Sequence, residues 1–199
     1  MKILSTYLFL ILFSLSVSSF ADDISEYQIE GINIGDSALD YLSKEKIITG
    51  IEKSKLVYDH LTEDFAEVYL FGKSEIYNAL SFIIKPDDKN YTIYYISGSI
   101  NYDDKIKQCY AKQKEIVEEF SLLYKNTRKV EKIHTFPSDP TGKSNSHYTS
   151  FLFDSGDTIT VSCVEFEKCY KIKKNMADGL SIEIATKKVE DWMSNWITK

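Results

Sequence analysis

The chain has 199 residues, of which 43% are hydrophobic, 27% charged and 14% aromatic. This composition excludes an intrinsically disordered chain, and the small numbers of glycine and proline, eight and three, exclude a fibrous protein. The formal net charge of -6 argues against a nucleic-acid-binding protein, since phosphate binding needs a surplus of clustered cations. Arg128 is the single arginine, which excludes an anion site built from several guanidinium groups.

The first segment predicts export. An apolar run over residues 7–17 is followed by Ser19 and Ala21, which place small residues before an acidic start at Asp22. This is the pattern of a secretory signal peptide over residues 1–21, cleaved between Ala21 and Asp22. The alternative is an uncleaved signal-anchor, because the apolar segment is just long enough to span a bilayer.

Cleavage would leave residues 22–199, a chain of 178 residues with a formal net charge of -7. Its length predicts a single domain, and no segment rich in proline or glycine divides it. The expected location is the periplasm or the medium, where disulfides form and persist. A chain of this size buries about 70% of its unfolded surface, so folding requires no metal and no additional crosslink.

The N-terminal part of the mature chain predicts an extended segment and then two short helices. Residues 27–34 are extended, and the turn at residues 35–37 supplies a helix cap. Apolar residues recur at helical spacing, first at Ala38, Leu39 and Leu42 and then, after a cap at Ser43, at Ile47, Ile48 and Ile51.

From residue 65 onwards the hydrophobic period changes to two. We predict strands over residues 66–71, 77–85 and 91–102, with a turn at residues 86–90. In the third strand the alternation puts two sets of residues on opposite faces. One face carries Tyr94, Ile96, Gly98, Ile100 and Tyr102, and the other carries Ser97, Ser99 and Asn101.

A long helix follows from Asp103 or Asp104 to Tyr124, with an aspartate cap. Residues 125–146 are polar and predict a long surface loop that contains one short strand at residues 130–134. The remaining predicted elements are a hairpin of residues 147–153 and 158–166, a strand at residues 180–185 and a closing helix capped by Thr186. The predicted fold is α+β, a mainly antiparallel sheet with one long helix and shorter N- and C-terminal helices packed on it.

The three cysteines are the most informative set of residues. Cys109 lies on the apolar stripe of the long helix, and Cys163 shares a strand face with Val161, so both point towards one core. This placement favours a Cys109–Cys163 disulfide. The alternatives are no disulfide, or a pairing of either residue with Cys169.

No catalytic, cofactor-binding or metal-binding residue is assigned. His60, His134 and His147 are scattered, and no cysteine lies in a recognisable nucleophile motif. The segment 141–144 resembles the end of a phosphate-binding loop, but Pro137 occupies the position of the first required glycine, which leaves a flexible loop. The paired aspartates fall in turns and caps, where aspartate is favoured for backbone hydrogen bonding.

Tyrosine is the one unusual enrichment, with 14 residues. Strand propensity explains it most simply. The alternative is an amphipathic surface for sugars, peptides or a partner protein.

Several segments resemble small exported proteins of A+T-rich marine bacteria, a group without an established activity. The resemblance runs from the opening at residues 27–41 through the helix with Cys109 and the loop at residues 142–144 to the turn before Cys163 and the terminal helix. Members of that group carry a sequence similar to Tyr-Asp-Trp where this chain has Val164-Glu165-Phe166. Cys169 is an addition to the pattern, so the resemblance implies that Cys109 and Cys163 are the paired cysteines.

Two classes of function follow from these observations. The first is a non-enzymatic exported domain that binds a protein, a peptide or an envelope component, without nucleic acid and without a stable membrane span after cleavage. The second is a small periplasmic hydrolase assembled from His147, Asp154, Asp157 or His134. A small-molecule binder is a further alternative.

Overall fold

The computed structural model describes residues 24–57, 64–72 and 74–197. The predicted signal peptide, its cleavage site between Ala21 and Asp22, and His60 lie outside these residues. Within them the fold is α+β with an antiparallel sheet, as predicted. The strands are β1 Gln28–Ile29, β2 Ile32–Asn33, β3 Ala66–Phe71, β4 Ala79–Ile84, β5 Ile93–Asn101, β6 Arg128–Thr135, β7 Asn145–Leu152, β8 Thr158–Glu165 and β9 Gly179–Ala185. The α-helices are α1 Lys44–Val57, α2 Ile106–Leu123, α3 Lys168–Lys174 and α4 Lys187–Ile197.

Strands β3 to β9 form one seven-stranded sheet in the order β3-β4-β5-β9-β8-β7-β6, and every neighbouring pair is antiparallel. After β5 the chain passes through α2 to the far edge of the sheet, where β6 lies. From that edge β6 to β9 return as a meander until β9 pairs with β5. The last strand in sequence is therefore the central strand of the sheet, while β1 and β2 form a separate hairpin.

One face of the sheet, which we call the core face, is covered by α1, α2 and the β1–β2 hairpin. Its buried side chains include Val68, Leu80, Phe82, Ile84, Ile96, Phe151, Ile159, Val161, Leu180, Ile182 and Ile184. Helix α1 approaches β3 so closely that a Cβ atom on Gly50 would lie 2.8 Å from a methyl carbon of Val68. Helix α2 contributes Cys109, Ile116 and Val117 to the same core.

The helices differ from the prediction. Their lengths are 14, 18, 7 and 11 residues from α1 to α4, so they do not divide into one long and several short helices. Helix α3 was not predicted. The aspartate cap of α2 is also wrong, because Lys105 precedes this helix and makes no side-chain cap hydrogen bond. Instead, the backbone N–H groups of Tyr102 and Asp103 donate to the carbonyl of Asp178, the residue directly before β9.

The short strand predicted at residues 130–134, within the long loop of residues 125–146, is longer in the structure, where β6 spans Arg128–Thr135. Strand β6 pairs with β7 over its full length, from Arg128 opposite Leu152 to Thr135 opposite Asn145. Because β6 is an edge strand whose side chains are almost all exposed, its sequence lacks the alternation that marks a half-buried strand. Its charged residues protect the edge from pairing with other chains.

A bulge changes the predicted face of Tyr94. Ile84 pairs with Ile93 and Ile83 pairs with Tyr95, so Tyr94 is the extra residue on β5. The side chain of Tyr94 packs against Phe65, on the side of the sheet opposite the core face, and not beside Ile96 as the alternation predicts.

The start of α4 is capped by a residue from another turn. The buried hydroxyl of Thr186, the predicted cap, has no hydrogen-bond partner. Instead, the carboxylate of Asp157, in the turn between β7 and β8, accepts from the N–H of Lys187 at 2.7 Å. An acidic group at this end also complements the helix dipole.

Candidate functional site

Cys109 and Cys163 form a disulfide that joins α2 to β8, with their Cα atoms 6.0 Å apart. Both residues are fully buried. The pairing agrees with the placement predicted from the helix stripe and the strand face. Cys169 is free and exposed in α3.

The surroundings of the disulfide are structural contacts. The side-chain amide of the buried Gln113 donates to the carbonyls of His147 and Val161, at 2.7 and 3.0 Å, and so ties α2 to β7 and β8. The ring of His147 packs against the ring of Tyr110, whose hydroxyl donates to Glu165. Burial and the charge of Glu165 raise the pKa of Tyr110 to about 12.

The residues of the hydrolase hypothesis are not brought together. His147 is near the start of β7 and Asp154 is beyond its end, which separates them by roughly 20 Å along the strand. Asp157 is engaged at the start of α4. Because Ile133 pairs with His147, the adjacent His134 lies on the opposite face of the sheet.

The loop between β6 and β7 is held by an internal carboxylate. The buried Asp139 accepts hydrogen bonds from the N–H groups of Thr141 and Ser144, each at 2.9 Å, and from the Thr141 hydroxyl. These are the amides that a phosphate-binding loop would offer to an anion. The Ser144 hydroxyl in turn accepts from the N–H of Glu167, so the loop is anchored to the start of α3.

The contacts of Asp139 predict a stability that depends on pH. Burial alone would raise the pKa of Asp139, but hydrogen bonds from Ser144 and Thr141 outweigh it and hold that pKa well below its usual range. The ionised group therefore stabilises the fold above the unfolded pKa of about 4, and this contribution is lost as the pH falls further. We expect Asp139→Asn to lower the melting temperature by several degrees at pH 7, with the difference shrinking towards pH 3. Thermal unfolding at pH 7, 4 and 3 measures it, with the exposed Asp154→Asn as control. Equal melting temperatures of wild type and Asp139→Asn at pH 7 would contradict the role of this carboxylate.

The side of the sheet opposite the core face, which we call the polar face, carries a row of five hydroxyl groups with one carboxylate at its centre and a valine at one end. The pairing registers place these residues side by side across all seven strands. In strand order they are Tyr69, Ser81, Ser97, Glu183, Thr160, Ser150 and Val130. We call this set the Glu183 row, because Glu183 occupies its middle position on the central strand β9.

Hydroxyl groups on the polar face bond to one another. The hydroxyls of Ser97 and Ser181 are 2.9 Å apart, and those of Ser150 and Thr160 are 2.8 Å apart. Ser81 and Ser97 are each 6% exposed, whereas Glu183, Thr160 and Ser150 are half-buried. The next row towards Gly179 continues the pattern with Ser99, Ser181, Ser162 and Tyr148.

Helix α4 packs on the polar face next to the Glu183 row, over Tyr95 and Ala185. Its Val189 and Trp192 form a second, smaller core with Phe65, Ile83, Tyr95 and Ala185. Glu190 of the same helix accepts a 2.6 Å hydrogen bond from the hydroxyl of Thr158. Helix α4 therefore lies along one side of the row, and the row itself consists mainly of polar side chains.

Glu183 is half-buried and has an unusual acidity. Burial is the main cause that raises the pKa of this carboxyl to about 7, and the negative charges of Glu190 and Glu67 raise it further. Hydrogen bonding with the hydroxyls of Ser181 and Tyr95 acts in the opposite direction. At neutral pH the carboxyl is therefore populated in both its protonated and its ionised form.

No ion pair offsets this charge within residues 24–57, 64–72 and 74–197. Neither Glu183 nor Glu190 pairs with a lysine or arginine there, although five ion pairs form elsewhere in the same residues. The described residues also contain no group of three or more His, Cys, Asp or Glu that could hold a metal ion. The row thus contains hydroxyl oxygens that accept hydrogen bonds and a carboxylate that forms no ion pair among these residues.

Sequence reasoning did not identify Glu183. It placed Ser97 and Ser99 on a polar strand face but assigned that face no role. The sequence did contain one signal, because Glu183 is the single charged residue in a strand whose other residues are apolar or small. Only the position of β9 at the centre of the sheet shows that this charge is surrounded by other strands.

Comparison of the chain with known protein families, with curated proteins and with solved structures finds no match. The protein is therefore classified by its geometry alone. It is a disulfide-bonded α+β protein with a half-buried carboxylate among hydroxyl groups. In the part of the chain that the structure describes, no helix is long and apolar enough to cross a membrane.

Proposed function

We propose that this chain is an exported binding protein whose ligand surface is the polar face of the sheet. The Glu183 row carries the proposal, because a half-buried carboxylate without a cationic partner among the described residues is costly to fold, and a cationic ligand would offset that cost. A binding domain is favoured over a hydrolase, since His147 and Asp154 lie far apart.

Export is part of the proposal and has separate support. A buried disulfide between α2 and β8 is compatible with an oxidising compartment such as the periplasm or the medium. The signal peptide expected at residues 1–21 and the resemblance to small exported bacterial proteins point the same way. Ligands of this class would be small molecules, peptides or components of the envelope.

Two measurements test the two parts of the proposal. N-terminal sequencing of protein recovered outside the cytoplasm is expected to begin at Asp22, and an intact Met1 in the membrane fraction would contradict cleavage. A thermal-shift screen with amines, sugars and short peptides is expected to find ligands that stabilise the wild type and not Glu183→Gln. Ligands that stabilise both equally would place binding away from the polar face, and catalytic turnover in a hydrolase screen that survives Glu183→Gln would favour an enzyme.

A further inference from the structure

We propose that the Glu183 row binds a linear organic polyamine, with its ammonium groups on the carboxylate and the hydroxyl oxygens of the row. This inference rests on the proposed function, because it names the ligand class of the same surface. Three features of the row carry it: its acceptors, its charge and its linear arrangement.

The acceptors match an ammonium group. A terminal ammonium has three donors, an inner secondary ammonium has two, and neither has an acceptor, whereas each serine or threonine hydroxyl has two lone pairs. In the 2.9 Å contact between Ser97 and Ser181 one hydroxyl donates to the other, and a free lone pair remains on each oxygen. The same holds for Ser150 and Thr160 on the other side of Glu183. A chain with several ammonium groups along the half-buried part of the row therefore meets an acceptor on each of the strands β9, β8 and β7.

The charge of the site is complementary to a cation. Glu183 faces Glu67 of β3 and Glu190 of α4, and the repulsion between these groups is among the causes that raise its pKa. Tyr95 of β5 also faces Glu183, and β8 presents the hydroxyls of Thr158, Thr160 and Ser162 on this side. An ammonium group beside Glu183 would relieve the repulsion and favour the ionised carboxylate.

The accessible acceptors of the row form a line. Ser81 and Ser97 are each 6% exposed, so the half-buried members, Glu183, Thr160 and Ser150, are the ones that a ligand reaches. They lie on three neighbouring strands and span roughly 10 Å. A linear chain with ammonium groups follows this line. A metal ion is disfavoured because the carboxylates are too dispersed to converge on it.

Titration calorimetry of the purified protein with spermidine tests the proposal. We expect saturable binding at pH 8 that is weakened roughly tenfold or more by Glu183→Gln, since a charge-assisted contact is lost. The matched control is Glu52→Gln, which removes one exposed carboxylate from α1 and is expected to leave the affinity unchanged. Magnesium chloride and a neutral straight-chain diol are the control ligands, and neither is expected to compete.

The pH dependence of the wild type gives a second measurement that needs no variant. Spermidine stays protonated between pH 6 and 8, whereas Glu183, with a pKa of about 7, changes from mostly protonated to mostly ionised. Binding is therefore expected to tighten about tenfold from pH 6 to pH 8, with release of a proton at pH 6. If Glu183→Gln does not fold, this profile and the variant Glu190→Gln, expected to bind more weakly, decide the question.

Several outcomes would overturn the inference. These are absence of binding, equal binding by wild type and Glu183→Gln, an affinity independent of pH, or equal displacement by magnesium. Tighter binding of a trilysine peptide than of spermidine would identify a peptide as the occupant. If spermidine fails while another ligand of the thermal-shift screen depends on Glu183, only the polyamine is wrong. If no ligand depends on Glu183, the proposed function fails with it.

Discussion

Replacing Cys109 and Cys163 together by alanine is expected to lower the free energy of unfolding by about 4 kcal/mol. The disulfide closes a chain segment of 54 residues, and the loss of its constraint on the unfolded chain gives this magnitude in the loop-entropy description. For a domain of this size the melting temperature would fall by roughly 10 °C. Urea unfolding of the oxidised wild type and of the double variant measures the difference.

The chain contains a matched control for this experiment. Cys169 is exposed and unpaired, so Cys169→Ser is expected to leave the melting temperature unchanged. Reduction of the wild type should reproduce the loss seen in the double variant, and reduction of the double variant should have no further effect. A difference in stability below about 1 kcal/mol would mean that α2 is held to the sheet by packing and by Gln113 alone.

The second large effect is expected at the opposite face of the sheet. Trp192 is 8% exposed, and its ring centroid lies 5.1 Å from that of Phe65 in the smaller core beneath α4. We expect Trp192→Ala to lower the free energy of unfolding by about 3–5 kcal/mol, because it removes a large side chain and leaves a cavity. Equilibrium unfolding followed by circular dichroism measures the loss.

The same substitution tests whether α4 forms one wall of the Glu183 row. Trp192→Phe keeps an aromatic ring against Phe65 and is expected to be less destabilising than the alanine variant. Trp192→Ala should also make α4 more sensitive to proteolysis and reduce any binding that depends on Glu183. Unchanged stability of the alanine variant would show that α4 contributes little to the fold.

Part of the candidate site was within reach of sequence reasoning. Ser97 and Ser99 were predicted to share a polar face, and the disulfide partners were predicted from a helix stripe and a strand face. Both predictions depend on local periodicity, which fixes the direction of a side chain relative to its own strand or helix. The bulge at Tyr94 is where this reasoning fails, because one extra residue inverts the alternation.

Other features depend on contacts between segments that are distant in sequence. Strand β6 has no buried apolar face of its own, and it extends beyond the predicted residues 130–134 because it pairs with β7 over its full length. The cap of α4 comes from Asp157, 30 residues away from its hydrogen-bond partner Lys187. Helix α2 starts late because the preceding backbone bonds to Asp178.

The sequence by itself determined the class of fold, the strands with clear alternation and the pair of cysteines on one core. The reason is that burial of one face imposes a hydrophobic period, and this period is visible in the sequence of a single helix or strand. The tertiary structure alone decided that β9 is central and that Glu183 lies among hydroxyls from β5, β8 and β7. A row across a sheet is set by the registers of several strands, and no local pattern contains the register between segments that are 23 to 86 residues apart.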